Sequence, residues 1–495
     1  MTTGDALRLR DTMEAVLTSL PTEILADICT ALATPPSWQG DEPEVAEGMT
    51  ALLQLGRTCR LLHAVVCPVL YQKATTQWTG KSRRILRLAP LVRTLAENPA
   101  LAQHVREIEV VEEREYLKDG YRFEGHDLVR QLHDDKATPF ESLIATSNLL
   151  PAVEKRRKEG SPVTDVLAVL LLCITPRAHT ARFAIVHGWN TLFLRTMNKD
   201  SSAGPLEPAV CFPNLTSLTI AVISYAIHSL DSVVLLLKAA PNLADLSLSK
   251  FEGGNYFHTT QLNRLKSVVL TSCLFSYGHY ECLFGHSRVV ERFTSIDDSR
   301  HPLAGSSYAQ AYACQILRAL KYSASSLRQL EVDLSFSDDS IWAALAAENQ
   351  PPAETLITRA RFPALEELAL NYNAIEAVED TCLVSLIAEC PALRRLVLRE
   401  INRQRFDELK RRAQQLAREA ARKRFPSLRR VDLYFQRICT MIGSPERTSV
   451  DALERQFALA DVELVIHTKH PAPASNRRRP AHQFHARPLT NRDPS

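Results

Sequence analysis

One pattern limits what this chain can fold into. Leu-x-x-Leu-x-Leu, with Val or Ile at some places, returns along its second half. "CFPNLTSLTI" supplies Leu215, Leu218 and Ile220, "AAPNLADLSL" supplies Leu243, Leu246 and Leu248, and "LNRLKSVVL" supplies Leu265, Val268 and Leu270. Further copies begin at Leu327, Leu365, Leu393, Leu428 and Leu459. Five copies carry an apolar-Pro-x-Leu lead-in, with Pro213, Pro241, Pro363, Pro391 and Pro426. Helix-like stretches such as "DSVVLLLKAA" and "TCLVSLIAEC" stand before several of them. The unit is therefore a helix, a proline turn and a short strand. Spacing is irregular: 22 residues from Leu243 to Leu265, but 35 from Leu393 to Leu428. One unit cannot hide its own apolar strand face, so neighbours have to stack. The expected fold class is α/β, an irregular solenoid with parallel strands inside and helices outside. Weaker copies are expected at Val105/Ile108/Val110, at Thr180/Phe183/Ile185 and near Val290 and Phe293.

The first segment, residues 13–78, has a different pattern. "LPTEILADI" reads as a helix start. Pro21 suits the first helical position, where its missing N–H has no intrahelical partner. Glu23 suits the first turn, beside the positive end of the dipole. Leu20, Ile24, Leu25 and Ile28 put much aliphatic surface around that start. The Pro-, Gly- and acid-rich stretch 34–48 reads as a loop. Beyond it Leu52, Leu55, Cys59 and Leu62 stand at spacings of three and four, one face of a helix over Leu52 to Val66 that Pro68 interrupts. Two or three short helices make a marginal core that needs a neighbour.

Length alone, 495 residues, suggests about three domains. Net charge is +3, from 59 basic and 56 acidic residues, so no global field favours nucleic acid or an anionic membrane. Eleven scattered cysteines form no C-x-x-C, and free thiols point to a reducing compartment, cytoplasmic or nuclear. The N-terminus lacks the layout of a signal peptide. The longest apolar run, Val166 to Ile174, is about half of a membrane span. The solenoid is assigned to 79–466, irregular to about 210 and clearest from 211. The basic, Pro-rich tail 467–495 is expected to be disordered.

"LPTEILADICTAL" followed by "LLQLGRTCRLLHAVVCPVLYQKAT" resembles an F-box. Leu20, Pro21, Glu23, Ile24, Leu25, Leu55, Cys59, Arg60, Pro68, Leu70 and Tyr71 match that family's pattern, and the loop at 34–48 is longer than the family usually shows. "LAPLVRTLAENPALAQHVREIEV" is similar to the link from F-box to leucine-rich repeats in fungal members. The resemblance implies a substrate receptor of a cullin–RING (SCF-type) ubiquitin ligase. Its first segment would dock on the ligase adaptor, and through it on cullin, by way of Leu20, Pro21, Ile24, Leu25, Ile28, Leu55, Cys59 and Leu62. Its repeats would hold a target protein. A leucine-rich-repeat scaffold without any ligase role is the alternative, and a hydrolase using unrecognised residues a third.

No phosphate-binding, zinc-protease or nucleophile-elbow motif is present. Cys273, His279, Cys282 and His286 have the right chemistry for zinc but fit no common spacing. No catalytic residue, cofactor or metal is therefore assigned. The basic run Asn402 to Arg424 reads as an outer helix with a solvated arginine-rich face, in preference to a localisation signal; "NRRRP" at 476–480 is a weaker candidate signal. In each strand, residues alternating with the leucines should face away from the core and be exposed. Stacking the later units would bring Arg395, Arg399 and Arg430 together, beside Asp432 and Tyr434. Such a guanidinium cluster would suit an acidic or phosphorylated segment of the target.

Overall fold

The computed structural model describes residues 19–33, 43–76, 88–111, 154–155, 158, 163–185, 208, 210–223, 227–254, 262–297, 313–334, 361–371, 382–401, 406–435 and 445–467. Part of the expected loop (34–42), the linking residues 77–87, much of the irregular stretch before 210, the start of the basic run (402–405) and the tail from 468, including "NRRRP", lie outside them. The strands are β1 (Lys73–Thr75), β2 (Glu107–Val111), β3 (Thr180–Ile185), β4 (Ser217–Val222), β5 (His228–Ser229), β6 (Asp245–Ser249), β7 (Phe251–Glu252), β8 (Ser267–Thr271), β9 (Arg292–Asp297), β10 (Gln329–Leu334), β11 (Glu367–Asn371), β12 (Arg395–Ile401), β13 (Arg430–Phe435) and β14 (Glu463–His467). Twelve form one long parallel sheet in chain order, and β5 pairs separately with β7. The α/β class is as expected. The chain divides into two compact units: Met1–Phe293 with Arg300–Leu327, and Thr294–Ser299 with Arg328–Ser495.

The proline lead-in is a β-turn. In all five copies the leucine N–H donates to the carbonyl three residues back: Leu215 to Phe212 at 3.2 Å, Leu243 to Ala240 at 3.2 Å, Leu365 to Phe362 at 3.2 Å, Leu393 to Cys390 at 3.0 Å and Leu428 to Phe425 at 3.2 Å. Proline therefore stands second in the turn, where its fixed φ is already correct and no N–H is needed. The strand that follows is bonded at its start in a repeated way. The Thr216 carbonyl accepts from Ala244 and Asp245 at 2.8 and 2.9 Å, and the Arg394 carbonyl accepts from Arg429 and Arg430 at 2.9 and 3.1 Å. Asn214 and Asn242 add side-chain rungs to the carbonyls of Pro176 and Pro213 (2.8 and 2.7 Å). Leu218, Leu246 and Val268 are register partners, as are Ile220, Leu248 and Leu270, and all six are buried.

The weaker copies are strands β2, β3 and β9. In β3 the alignment is corrected. Thr180 faces away from the core, while Ala178, Ala181, Phe183 and Ile185 are buried. Ala181 is the register partner of Leu218, and Ala178 closes a proline turn onto Thr175 at 3.0 Å. Two alanines hide this copy. The last copy is shifted too: Leu464 and Ile466 pair with Val431 and Leu433, so Leu459 is not a core residue and is 85% exposed.

The N-terminal segment folds as α1 (Thr22–Ala33), α2 (Pro43–Gly56) and α3 (Arg60–Leu70). Pro21 is one residue outside the expected position; its carbonyl accepts the first helical bond, from Leu25 at 3.1 Å. The single second helix becomes two. Arg57 and Thr58 close turns onto Gln54 and Leu55 at 3.0 and 3.1 Å, and Cys59 is the extended N-cap of α3. Pro68 sits inside the last turn of α3 and does not interrupt it, because only one helical bond is lost there. Residues 43–48, expected in the loop, begin α2. Gly48 lets α2 reach α1: a Cβ there would lie 2.0 Å from the Leu32 carbonyl oxygen. The boundary at residue 78 also moves, because Lys73–Thr75 is already the first strand, with Ala74 in register with Ile108. A three-residue strand carries too little periodicity to be read from "QKATT".

In the unit 1 repeats, α4 (Leu88–Glu97) packs on α5 (Thr164–Ile174), while α6 (Val234–Ala239), α7 (Tyr277–His286) and α8 (Ala313–Ala319) follow. Unit 2 holds α9 (Cys382–Ala388), α10 (Phe406–Ala421) and α11 (Pro445–Leu459). The basic run forms α10 as expected. Leu409, Ala413, Leu416, Ala417 and Ala420 are buried, whereas Arg411 and Arg418 are exposed. No described helix is long and apolar enough to cross a membrane.

Candidate functional site

Two surfaces concern function. The first is on the helical segment. Leu25, Cys29, Leu52, Leu62, Val65 and Val66 close its core, with Leu20, Leu55 and Cys59 packed at the margin. Of the eight residues expected to meet an adaptor, Leu25 and Leu62 are thus inside the fold and Leu20, Leu55 and Cys59 are half-buried. Pro21 is exposed, and Ile24 and Ile28 are 46% and 36% exposed. One helical turn separates Ile24 from Ile28, so they share a face of α1, while Leu25 and Cys29 share the buried one. Leu53 and Leu61 are exposed as well and were not singled out in the sequence. Leu53 follows core Leu52 and Leu61 precedes core Leu62, and periodicity weighted only the core members.

The second surface is the non-core face of β10–β14. Register sets Glu367, Arg395, Arg430 and Glu463 in one row across four strands. Arg395 and Arg430 are direct neighbours, an arrangement that repels. Asp432, two residues along β13, lies against both. Arg430 donates to it through Nε and a terminal nitrogen, both at 2.9 Å, and Arg395 Nε donates at 2.7 Å. His467 Nε2 lies 2.8 Å from its other oxygen side. Arg395 also reaches Glu367 at 2.7 Å, and Arg430 reaches Glu463 at 3.5 Å. Further along, Arg399 bonds Glu331 and lies 3.7 Å from Asp333.

Arg395 and Arg430 come together beside Asp432, whereas Arg399 stands apart on Glu331 and Asp333 and does not join them; the face is neither open nor cationic. Asp432 is 0% and Val397 2% exposed, and Arg399 and Tyr434 are buried. Tyr434 packs with Ala369 and Val397, and the His467 ring stacks flat on it at 4.0 Å. The expected exposure is therefore corrected: long side chains lie over the short ones between them. Each of the three arginines is already held by carboxylates of this chain. Burial pushes the Asp432 carboxyl up, yet the hydrogen bonds from Arg430, His467 and Arg395 outweigh it and hold it at about 2. Its bond to Asp432 in turn raises the Arg430 guanidinium. The alternation pattern places Glu331, Asp333 and Glu367 on this face, and Glu463 and His467 join them there, but which carboxylate or imidazole each arginine meets needs the register.

Two of the four zinc candidates, Cys273 and His279, are used structurally. Cys273 donates to the carbonyls of Thr271 and Leu248 at 3.5 and 3.6 Å. His279 Nδ1 accepts from the Ser276 N–H at 3.2 Å, capping α7. Among the described residues no three His, Cys, Asp or Glu side chains are grouped to hold a metal. No known family model matches this chain, and a comparison with curated proteins finds no match.

Proposed function

We propose that the protein is a non-catalytic adaptor: an F-box-like helical segment followed by leucine-rich repeats, acting as a substrate receptor of an SCF-type ubiquitin ligase. The helical segment binds the ligase adaptor, and through it cullin, and the repeats hold a target, in the cytoplasm or nucleus. Ubiquitin transfer by the partner subunits then gains the high effective concentration of an intramolecular step. The observation that carries this reading is the division of labour on α1. Leu25 and Cys29 close the core, while Pro21, Ile24 and Ile28 keep an apolar surface in solvent.

On the repeats, the half-exposed row Glu367, Arg395 and Arg430 is the proposed contact for the target. Because the arginines are internally paired, an acidic or phosphorylated target segment has to compete with Glu367, Asp432 and Glu463 for them. A pull-down with the ligase adaptor tests the first half of the proposal. The wild-type chain should retain the adaptor, and Ile24→Asp with Ile28→Asp should lose it while keeping its helical circular dichroism. If the wild-type chain retains none, the repeats are a binding scaffold outside any ligase.

A further inference from the structure

Strand β14 is the last in the sheet order among the described residues, and three features leave it incomplete. The Glu463 N–H donates to the Arg429 carbonyl at 2.8 Å, so Glu463, Val465 and His467 turn their backbone groups toward β13. By the same alternation Leu464 and Ile466 turn theirs to the free edge. The core rows are also unfinished: Val431 and Leu433 are buried, while their register partners Leu464 and Ile466 are only half-buried. Finally, among the described residues Glu463 is paired on one side alone, with Arg430, and its side chain is 62% exposed.

We propose that β14 pairs antiparallel with β14 of a second copy of this chain, about a two-fold axis at Val465. Centring the axis there brings Leu464 opposite the partner's Ile466, the two residues whose N–H and C=O groups point outward, as a hydrogen-bonded pair. Their side chains meet on the core face and continue its apolar rows. On the other face Glu463 stands opposite the partner's His467, so the charges of the edge complement themselves. Val465 meets its own copy as the close, non-hydrogen-bonded pair. No other centre uses all five residues of the strand. An interface of five residues per chain is small, so the association is weak, in the micromolar range.

Sedimentation equilibrium of the full-length chain over about 1 to 100 μM, across that weak range, tests this. The average mass should climb toward twice that of the chain. Val465→Arg, which sets two guanidiniums against each other at the axis and leaves the monomer core untouched, should hold it at monomer at the top concentration. Val465→Cys gives a second readout. Cα atoms of such a pair lie about 4.5 Å apart, within disulfide reach, so mild oxidation should link two chains at least tenfold faster than in Asp461→Cys. A wild-type chain that stays monomeric throughout, or a dimer unaffected by Val465→Arg, overturns the proposal.

Discussion

The two units carry the same core-side pattern and opposite solutions on the other face. In β4, β6 and β8 the non-core residues are Ser217, Thr219 and Ala221, then Asp245, Ser247 and Ser249, then Ser267, Val269 and Thr271, and every one is half-exposed. In β11–β13 the equivalent rows hold Glu367, Ala369, Arg395, Val397, Arg399, Arg430, Asp432 and Tyr434, and five of these eight are buried. Short side chains leave the sheet wet. Long ones reach across the ~4.8 Å between strands, pair with each other and cover what lies beneath. The second unit thus has a buried ion network on this face, where the first has half-exposed short side chains and the partly exposed pairs of Glu109 with Lys73 and Arg182 and of Asp245 with Arg292, and its stability should depend on that face more than the first unit's does.

The largest effect is expected at Asp432. Asp432→Ala leaves Arg395 and Arg430 adjacent with no carboxylate between them, and should cost about 3 kcal/mol in urea unfolding. Ser247→Ala, on the matching face of unit 1, should stay within about 0.5 kcal/mol. Equal costs would mean that the ion network is decorative. Acid should expose the same asymmetry. The Asp432 carboxyl drops from its ordinary 3.8 to about 2 on folding, which corresponds to about 2 kcal/mol. The unfolded state binds the proton more tightly, so this contribution is present above about pH 4 and disappears as pH falls through 2. Asp432→Asn should flatten that part of the stability–pH curve.

A smaller contrast is expected from the apolar residues of the same rows. Val397→Ala should cost about 1.5 kcal/mol, since two buried methyl groups go. Val269→Ala, half-exposed in unit 1, should cost well under half of that; a matching loss would show that Val269 is as dependent on its cover as Val397. The least effect is one in which the units should agree. Lys250 and Lys423 both hold positive φ, 64° and 58°. Lys423 ends α10 with bonds to Ala420 at 2.8 Å and from Arg424 to Glu419 at 3.1 Å, a C-cap that favours glycine. Lys→Gly at either place should relieve the left-handed strain and stabilise the fold by up to about 1 kcal/mol, read as a small rise in the thermal midpoint.

The legible parts are those written in local pattern. Pro213 and its four counterparts announce a turn because proline carries its own φ, and leucine triplets announce the strand that follows. Where the pattern thins, the reading slips for the same reason. Alanines at 178 and 181 hide β3's true frame. A chance Leu-x-x-Val-x-Leu moves β14 by two residues, and Leu459 ends in solvent. At α2 and α3 continuous periodicity conceals the break that Thr58 and Cys59 make. On the helical segment, the sequence names an aliphatic cluster, but only packing separates Leu25 from Ile24.

By itself, then, the sequence determined the repeating helix–turn–strand unit, the parallel α/β class and the core face of most strands. Each of these depends on residues a few positions apart, bound to one another through backbone periodicity. The tertiary structure alone decided the state of the opposite face. Asp432 meets Arg395 and His467 from 37 and 35 residues away, and nothing local encodes which carboxylate a given arginine will find. That follows from strand register, and register exists only once the units have stacked.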